Sequence, residues 1–210
     1  MSGTPTTDSQ LLDSNGNVLQ IQYYDPINLK YVASTIAPNG ATAVTFPSKI
    51  SKTYSCSFNV AVAAAATDIA VISGNAITIC YITRIVISAT QTTAGLSDTL
   101  LVKRSTADTG GTSTSQVIVP HDSNDAAPSS IVLAYTANPA ALGTSVGSIR
   151  RGFLPVAGAT SVVNPIVVFE FGDKGKEITL RGVAQQLAIN LNGATLTGGS
   201  FDINIEWFEV

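Results

Sequence analysis

The chain has 210 residues, of which 45% are hydrophobic and only 12% are charged, and its mean hydropathy is positive. Its 11 Lys and Arg residues and 14 Asp and Glu residues give a net charge of −3 without a basic tract, which argues against nucleic acid as a partner. The sequence shows neither a secretory signal nor an apolar run long enough to cross a bilayer, so we expect a soluble protein, made in the cytoplasm, that does not bind membranes. Because so few charged groups are available to cover its surface, we predict that other subunits bury a sizeable part of that surface.

Residues 1–55 differ from the rest of the chain because their apolar segments are short and lie between turn signals. The turn signals are Asn15-Gly16, Asp25-Pro26 and Pro38-Asn39-Gly40. The segments 18–24 and 31–36 are candidate strands. We predict an extended N-terminal arm or a small β subdomain that pairs with a neighbouring subunit. The alternative is that these strands begin the main domain.

Residues 56–210 contain apolar strand candidates separated by turn signals every ten or so residues, which is typical of a β-sandwich or barrel. The clearest candidates are 77–89, 96–104, 131–135, 149–156, 166–171, 177–183, 187–191 and 200–210, and two shorter ones are 68–73 and 116–119. The Ala-rich segment 61–66 has no cap and no polar periodicity, so we expect a loop or a strand end there. With about eight strands and no amphipathic helix, the sequence predicts an all-β fold, an antiparallel jelly-roll-like β-sandwich.

Three local arrangements follow from the same patterns. Segment 77–89 is predicted to place Ile77, Ile79, Tyr81, Ile85, Ile87 and Ala89 on one side, with Thr83 interrupting it. Residues 172–176, rich in Gly and charge, favour a tight exposed hairpin. The turn-rich run 192–199 predicts that segments 187–191 and 200–210 form a hairpin or two adjacent strands.

The last segment has the clearest strand pattern in the chain. Its apolar residues Phe201, Ile203, Ile205 and Trp207 alternate with Asp202, Asn204 and Glu206. Successive side chains of a strand point to opposite faces, so one face is apolar and the other polar. We predict a structural core that contains Phe201, Ile203, Ile205, Trp207, Ile85 and Ile87.

The only histidine lies in a polar loop that could be taken for a reactive site. This loop reads Pro120-His121-Asp122-Ser123-Asn124-Asp125, and Ser129 and Ser130 follow it. Neither serine has the Gly-flanked, strained turn of a catalytic nucleophile. The oxygen donors Asp122, Asn124 and Asp125 resemble the start of a calcium loop, but the glycine at its sixth position and the distal Glu are missing. The sequence favours a loop whose Asp and Asn side chains bond their own backbone.

The remaining candidates for chemistry also favour structural roles. Asp202 and Glu206 share one face of a strand, but their Cα atoms would lie ~13 Å apart, further than the roughly 5 to 9.5 Å between paired catalytic carboxylates. The Gly-Gly pairs at 110–111 and 198–199 lack the context of a phosphate loop and favour turns. Cys56 and Cys80 lie in apolar segments, which favours inert thiols over a disulfide. We therefore expect no catalytic, cofactor-binding or metal-binding residues, and no enzyme.

Six sets of residues, taken in chain order, carry a resemblance to a known group of proteins. They are Thr83-Arg84-Ile85 with Ile87-Ser88, Val102-Lys103-Arg104-Ser105-Thr106 with Gly110-Gly111-Thr112, Pro120-His121-Asp122-Ser123-Asn124-Asp125, Ala134-Tyr135-Thr136-Ala137-Asn138-Pro139, Arg181-Gly182-Val183-Ala184-Gln185, and Gly198-Gly199-Ser200-Phe201-Asp202 with Glu206-Trp207. Over residues 67–209 these motifs resemble those of uncharacterised virion structural proteins of tailed bacteriophages, and the resemblance does not include residues 1–60.

The resemblance implies a structural part of a phage particle, assembled into the virion after synthesis in the host cytoplasm. Jelly-roll-like domains of this group commonly form trimers on the head surface or in fibres, which implies a homotrimer in contact with the major capsid protein or other virion proteins. A capsid decoration or cement protein is the first expectation, and a tail, collar or fibre component is the second. A carbohydrate-binding sandwich that contacts host glycans is a third, although aromatic residues make up only 7% of the chain.

Overall fold

Fourteen β-strands form the described secondary structure of the chain, in a computed structural model that describes residues 22–25, 30–33, 51–158, 166–172 and 176–210. The strands are β1 (Gln22–Asp25), β2 (Lys30–Ala33), β3 (Lys52–Ala61), β4 (Ala66–Ser73), β5 (Cys80–Gln91), β6 (Gly95–Arg104), β7 (Thr112–Ser115), β8 (Val119–Pro120), β9 (Ile131–Ala137), β10 (Ser145–Gly158), β11 (Ile166–Glu170), β12 (Ile178–Leu180), β13 (Gln186–Ala194) and β14 (Ser200–Glu209). The described residues contain no helix, which confirms the predicted all-β class. The Ala-rich segment is a strand end and a loop, also as predicted.

The chain divides into two units, residues 1–48 and residues 49–210. In the first unit, β1 and β2 pair antiparallel, with Gln22 opposite Ala33 and Asp25 opposite Lys30. The other parts of the predicted segments 18–24 and 31–36 lie outside the described residues. In the second unit the first strand, β3, begins at Lys52.

The second unit is one curled mixed sheet in the order β7-β9-β4-β13-β6-β10-β5-β14-β3-β8, with β11 and β12 also paired to β5. Strand β10 connects two halves of this sheet, β7-β9-β4-β13-β6 and β5-β14-β3-β8. It pairs antiparallel with β6 through most of its length and then parallel with β5 at Ala157 and Gly158. The two ends of the order, β7 and β8, are joined by only residues 116–118. So short a connection spans at most about 14 Å, and the sheet must therefore curl back on itself.

The concave side of this curled sheet encloses one hydrophobic core, with inward side chains from both halves. Every second residue of β14 from Phe201 to Glu209 is buried, as the two-residue period of a strand requires. The six residues of the predicted structural core, Phe201, Ile203, Ile205, Trp207, Ile85 and Ile87, are all at most 2% exposed. They meet side chains of β4, β6, β9, β10 and β13 in the same cluster.

The prediction for segment 77–89 is wrong before Ile85. Strand β5 begins at Cys80, and Ile77 lies in the preceding loop with 87% of its surface exposed. The Asn75 side chain accepts hydrogen bonds from the N–H groups of Ile77 and Thr78, at 2.7 and 2.6 Å, which holds the loop out of the strand.

A β-bulge at Thr83 explains the rest of that error. Glu206 of β14 pairs with Arg84, but the next residue, Trp207, pairs with Ile82, so Thr83 is an extra residue. Before the bulge, the buried positions are therefore Cys80 and Ile82 rather than Ile79 and Tyr81. The Thr83 hydroxyl donates to the Glu206 carbonyl at 3.1 Å and stabilises the bulge.

Both predicted hairpins are also wrong. Strands β11 and β12 run in the same direction, each antiparallel to β5, and the break between them falls opposite Thr83. Residues 173–175 of the predicted turn lie outside the described residues. Strands β13 and β14 are not neighbours, because β13 pairs with β4 and β6 whereas β14 pairs with β3 and β5. The run 192–199 thus crosses from one half of the sheet to the other.

Candidate functional site

The outer face of β3, β14 and β5 is a polar surface built from aligned rows of side chains. Asp202 lies between Ser88 and Asn59, and Asn204 lies between Val86 and Ser57. The Asn59 Nδ2 donates to Asp202 Oδ1 at 2.8 Å, and Asn204 Nδ2 donates to Ser57 Oγ at 2.6 Å. These short side chains hold one another by hydrogen bonds and line a shallow depression that carries one carboxylate, that of Asp202.

Glu206 lies in a separate charged row of the same face. Arg84 Nη1 donates to Glu206 Oε1 at 3.1 Å, and Arg84 Nε lies 3.6 Å from Glu170 Oε1. Asp202 and Glu206 thus share one face, as their spacing predicts, but each has its own partner. The Arg84 guanidinium thus lies between two carboxylates and forms an ion pair with each.

Tyr81 and Phe208 form an aromatic pair on this face. Their ring centroids lie 4.8 Å apart at an angle of 13°, so the rings stack on each other. Stacking covers one face of each ring. Trp207, one position along from Phe208, is 1% exposed.

The loop at His121 is held by its own polar groups. Asp122 Oδ1 accepts from the N–H and the Nδ2 of Asn124, at 3.0 and 3.2 Å, as predicted for a loop that bonds its own backbone. The exposed His121 is anchored by its backbone N–H, which donates to Thr53 O at 2.8 Å. Within the described ranges, no three His, Cys, Asp or Glu side chains are grouped as metal ligands.

Glu209 fixes the far end of that loop from inside the core. Its carboxylate accepts hydrogen bonds from the N–H groups of Ser129 and Ser130, at 3.0 and 2.9 Å, from the Thr78 hydroxyl at 2.8 Å and from Trp207 Nε1 at 3.3 Å. Burial alone would raise the pKa of Glu209, but these donors outweigh it and hold the pKa below its usual value. The two candidate serines thus position a loop through their backbone.

A buried ion cluster joins β4, β6 and β13 on the other half of the sheet. Arg104 donates Nε and Nη2 to the two oxygens of Asp68, at 2.6 and 2.8 Å, and Asn190 Nδ2 also donates to Asp68. Arg104 Nε lies 3.3 Å from Asp108 Oδ1, which accepts the N–H of Gly143 at 2.8 Å. Two carboxylates therefore share one guanidinium away from water.

Asp108, the second carboxylate of this cluster, has a raised pKa. Burial is the main cause that raises its pKa, and the neighbouring Asp68 adds to it, so the pKa reaches about 6. Its Oδ2 is buried and accepts no hydrogen bond from the described residues. Arg104 already donates two hydrogen bonds to Asp68. Asp108 is therefore less well stabilised as a carboxylate and is more easily protonated.

Replacing Asp108 with asparagine is expected to remove a pH-dependent part of the free energy of unfolding. The pKa rises from the ordinary 3.8 to about 6 on folding, so this stabilisation is complete below the ordinary pKa and is lost as the pH rises through the folded-state value. The loss amounts to about 3 kcal/mol. Urea unfolding of Asp108→Asn and of the unchanged protein should thus show a difference that grows by about 3 kcal/mol, in favour of the variant, as the pH rises from below about 4 to above 6.

Glu209 has the opposite effect on the pH dependence of stability, because its lowered pKa gives a stabilisation that is lost as the pH falls. This effect is the same in both proteins, so it cancels in the difference between their free energies of unfolding. Free energies of unfolding that differ by a constant amount across this range would show that Asp108 does not titrate there.

The two cysteines lie in the core and are free, in agreement with the sequence. Burial raises the pKa of Cys56 to about 11 and that of Cys80 to about 12. Their thiols therefore stay protonated and unreactive at neutral pH.

The glycine pairs lie in connections between strands. Gly110 and Gly111 have φ of +69° and +77°, and a Cβ on Gly111 would lie 2.6 Å from the carbonyl oxygen of Asn138, so both positions need glycine. Gly198 and Gly199 precede β14.

No helix of the described residues is long and apolar enough to cross a membrane.

Sequence reasoning missed both buried polar groups. The signal for Glu209 is its position, because it continues the two-residue period of the buried residues Ile205 and Trp207. The signal for Asp68 and Arg104 is weaker, and consists of single charges at the ends of apolar strands. Nothing local shows that these two residues meet.

The described residues thus present a polar outer face on β3, β14 and β5 and two buried polar clusters, one around Glu209 and one around Arg104. A search of protein-family models, of curated proteins and of solved structures finds no match to this chain.

Proposed function

We propose that this chain is a non-enzymatic structural component of a bacteriophage virion, and that it decorates and stabilises the capsid as a cement protein. In this proposal the second unit is a jelly-roll-like sandwich, the protein is a homotrimer, and its partner is the major capsid protein. The resemblance of residues 67–209 to virion proteins gives the direction, and the all-β fold is consistent with it.

The observation that carries the proposal is the number of large apolar side chains on the surface. Among the residues whose burial the structure describes, twelve are exposed: Ile77, Leu96, Val117, Val119, Ile131, Leu142, Val146, Phe153, Ile166, Val168, Val183 and Val210. Apolar surface of this extent, in a chain with 12% charged residues, favours burial against other proteins.

One of these areas has the features of a protein interface. Leu96 and Phe153, 63% and 58% exposed, lie on β6 and β10, and Leu96 is directly opposite Pro155. The ion pair of Arg151 and Asp98, at 2.7 Å, borders them. An apolar centre with a charged border is the usual arrangement of an interface.

The proposal predicts on the order of hundreds of copies of this protein in each virion, arranged with the symmetry of the head. Quantitative mass spectrometry of purified particles measures the number, and electron microscopy of the same particles locates the density. A few copies to dozens at the tail or collar would contradict the decoration role and support the tail or fibre alternative. Absence from the particles would overturn both.

The variants Leu96→Ser and Ile77→Ser test the surface itself. Both remove an exposed apolar side chain, but Leu96 belongs to the apolar area on β6 and β10 whereas Ile77 stands in a loop. Purified Leu96→Ser protein added to particles that lack the protein should bind fewer copies than Ile77→Ser. Equal binding of the two would exclude this area as the capsid contact.

A further inference from the structure

The outer edge of β3 is regular and uncharged, and over half of its length it has no partner strand among the described residues. Strand β14 pairs with all ten residues of β3 without a register shift. On the other side, β8 pairs only with Tyr54 and Ser55. Residues 56–61 therefore border an open edge of the described sheet.

The direction of the backbone groups on β3 follows from two hydrogen bonds near its ends. On the β14 side, the N–H of Val62 donates to the carbonyl of Gly199, and on the β8 side, the carbonyl of Thr53 accepts from the N–H of His121. In an antiparallel ladder, alternate residues direct their N–H and C=O groups to opposite sides. The even-numbered residues of β3 thus form backbone hydrogen bonds with β14, and the odd-numbered ones direct their N–H and C=O groups away from β14, toward the open edge.

The outward residues of the open edge are Ser57, Asn59 and Ala61. Each presents one N–H donor and one C=O acceptor, spaced as another strand requires. Their side chains lie on the polar outer face and are exposed. Nothing in their chemistry opposes a further strand.

Up to Val156, β10 pairs only with β6 among the described residues, and its other side shows how such an unpaired stretch is protected. Two register shifts interrupt β10 between residues 145 and 150, and it carries Arg150, Arg151 and Pro155. Bulges, charges and prolines are the devices that prevent edge-to-edge pairing. Residues 56–61 of β3 contain none of them.

We propose that residues 57–61 of β3 pair with the same residues of a second copy of this chain, antiparallel and around a two-fold axis at Asn59. In this register Asn59 lies opposite Asn59 of the second copy, and Ser57 lies opposite its Ala61. All three outward residues then donate and accept a backbone hydrogen bond. The sheets of two copies become one continuous sheet.

The side chains agree with this pairing. On the inner side, the half-buried Phe58 lies opposite Val60 of the second copy, so two apolar residues meet. On the outer side, the facing residues are Asn59 with Asn59 and Ser57 with Ala61, and none carries a charge. The pairing therefore brings no like charges together, which is the usual obstacle when a strand pairs with its own copy.

The contact is two-fold and is separate from the three-fold association of the proposed function. It gives a dimer, or it joins two trimers, and either assembly contains an even number of chains. Light scattering of the purified protein should give an even multiple of 21.7 kDa. A mass of one or three chains would overturn the proposal.

Cysteine crosslinking tests the register directly. Directly opposite residues of a hydrogen-bonded pair have Cα atoms ~5.5 Å apart, within the range of a disulfide. With copper phenanthroline as oxidant, Asn59→Cys should form a covalent dimer about tenfold faster than Ser88→Cys. Ser88 is the matched control because it lies in the same row of the outer face, two strands in from the edge. Equal rates, or no dimer from Asn59→Cys, would count against the pairing.

A proline at position 59 tests the backbone bonds. Because the N–H of Asn59 faces outward, Asn59→Pro removes a donor of the contact and spares the ladder with β14. Asn59→Ala is its control, since both variants lose the side-chain bond to Asp202 but only proline lacks the N–H. We expect the mass of Asn59→Pro to fall by half and that of Asn59→Ala to stay unchanged. An unchanged mass for folded Asn59→Pro overturns the proposal, and if thermal unfolding shows that this variant does not fold, the crosslinking rates decide.

Discussion

Replacing Arg104 with methionine is expected to lower the free energy of unfolding by about 3 to 5 kcal/mol at neutral pH. The side chains of Arg104 and Asp68 are 4% and 0% exposed, and their two hydrogen bonds are the main compensation for a charge placed in the core. Without the guanidinium, Asp68 and Asp108 face each other as buried carboxylates. Urea unfolding measures the loss, and part of it should return at low pH, where Asp108 is protonated.

Arg151→Met is the matched control for this experiment. Arg151 also donates two hydrogen bonds to one carboxylate, that of Asp98, at 2.8 and 2.7 Å, but its side chain is 57% exposed. Water screens exposed ion pairs, so this variant should unfold close to the unchanged protein. Equal losses for Arg104→Met and Arg151→Met would show that burial does not determine how much the ion cluster contributes to the free energy of unfolding.

Replacing Trp207 with alanine is expected to cost about 3 to 5 kcal/mol of stability through the cavity that it opens. Trp207 is the largest fully buried side chain of the described residues. Its ring centroid lies 5.8 Å from that of Tyr54, which is directly opposite on β3. Thermal and urea unfolding should both report the loss, and an unchanged stability would mean that Trp207 does not fill the core.

Trp207→Phe separates the cavity from the hydrogen bond. Phenylalanine keeps an aromatic ring against Tyr54 but removes the Nε1–H that donates to Glu209 at 3.3 Å. We expect a loss of about 2 kcal/mol, well below that of the alanine variant. Equal losses for the two variants would assign the effect to the hydrogen bond rather than to packing.

The sequence predicts local structure where one simple rule operates. Strand β14 alternates without interruption, so the buried positions Phe201 to Trp207 follow from its two-residue period. In β5 the same rule fails, because the bulge at Thr83 exchanges the faces of the residues before it. A bulge inserts one residue without a change in composition, and its position depends on the partner strand.

Pairing between distant strands is what the sequence cannot supply. Strand β14 lies between β3 and β5, more than 100 residues away in the chain, whereas a turn-rich segment predicts a hairpin with β13. The buried clusters have the same origin, since Asp68 and Arg104 meet only because β4 and β6 flank β13. Their charges can be read from the sequence, but their partners depend on the topology.

The central place of β14 has a consequence for synthesis of the protein. Strands β3 and β5 are synthesised early, but neither can complete its pairing until residues 200–209 have been synthesised. Pairing between residues so far apart in the chain is slow, and unpaired strands attract other chains in the meantime. A chain released before residue 200 therefore has two open strand edges and exposed core residues, which favours aggregation or proteolysis.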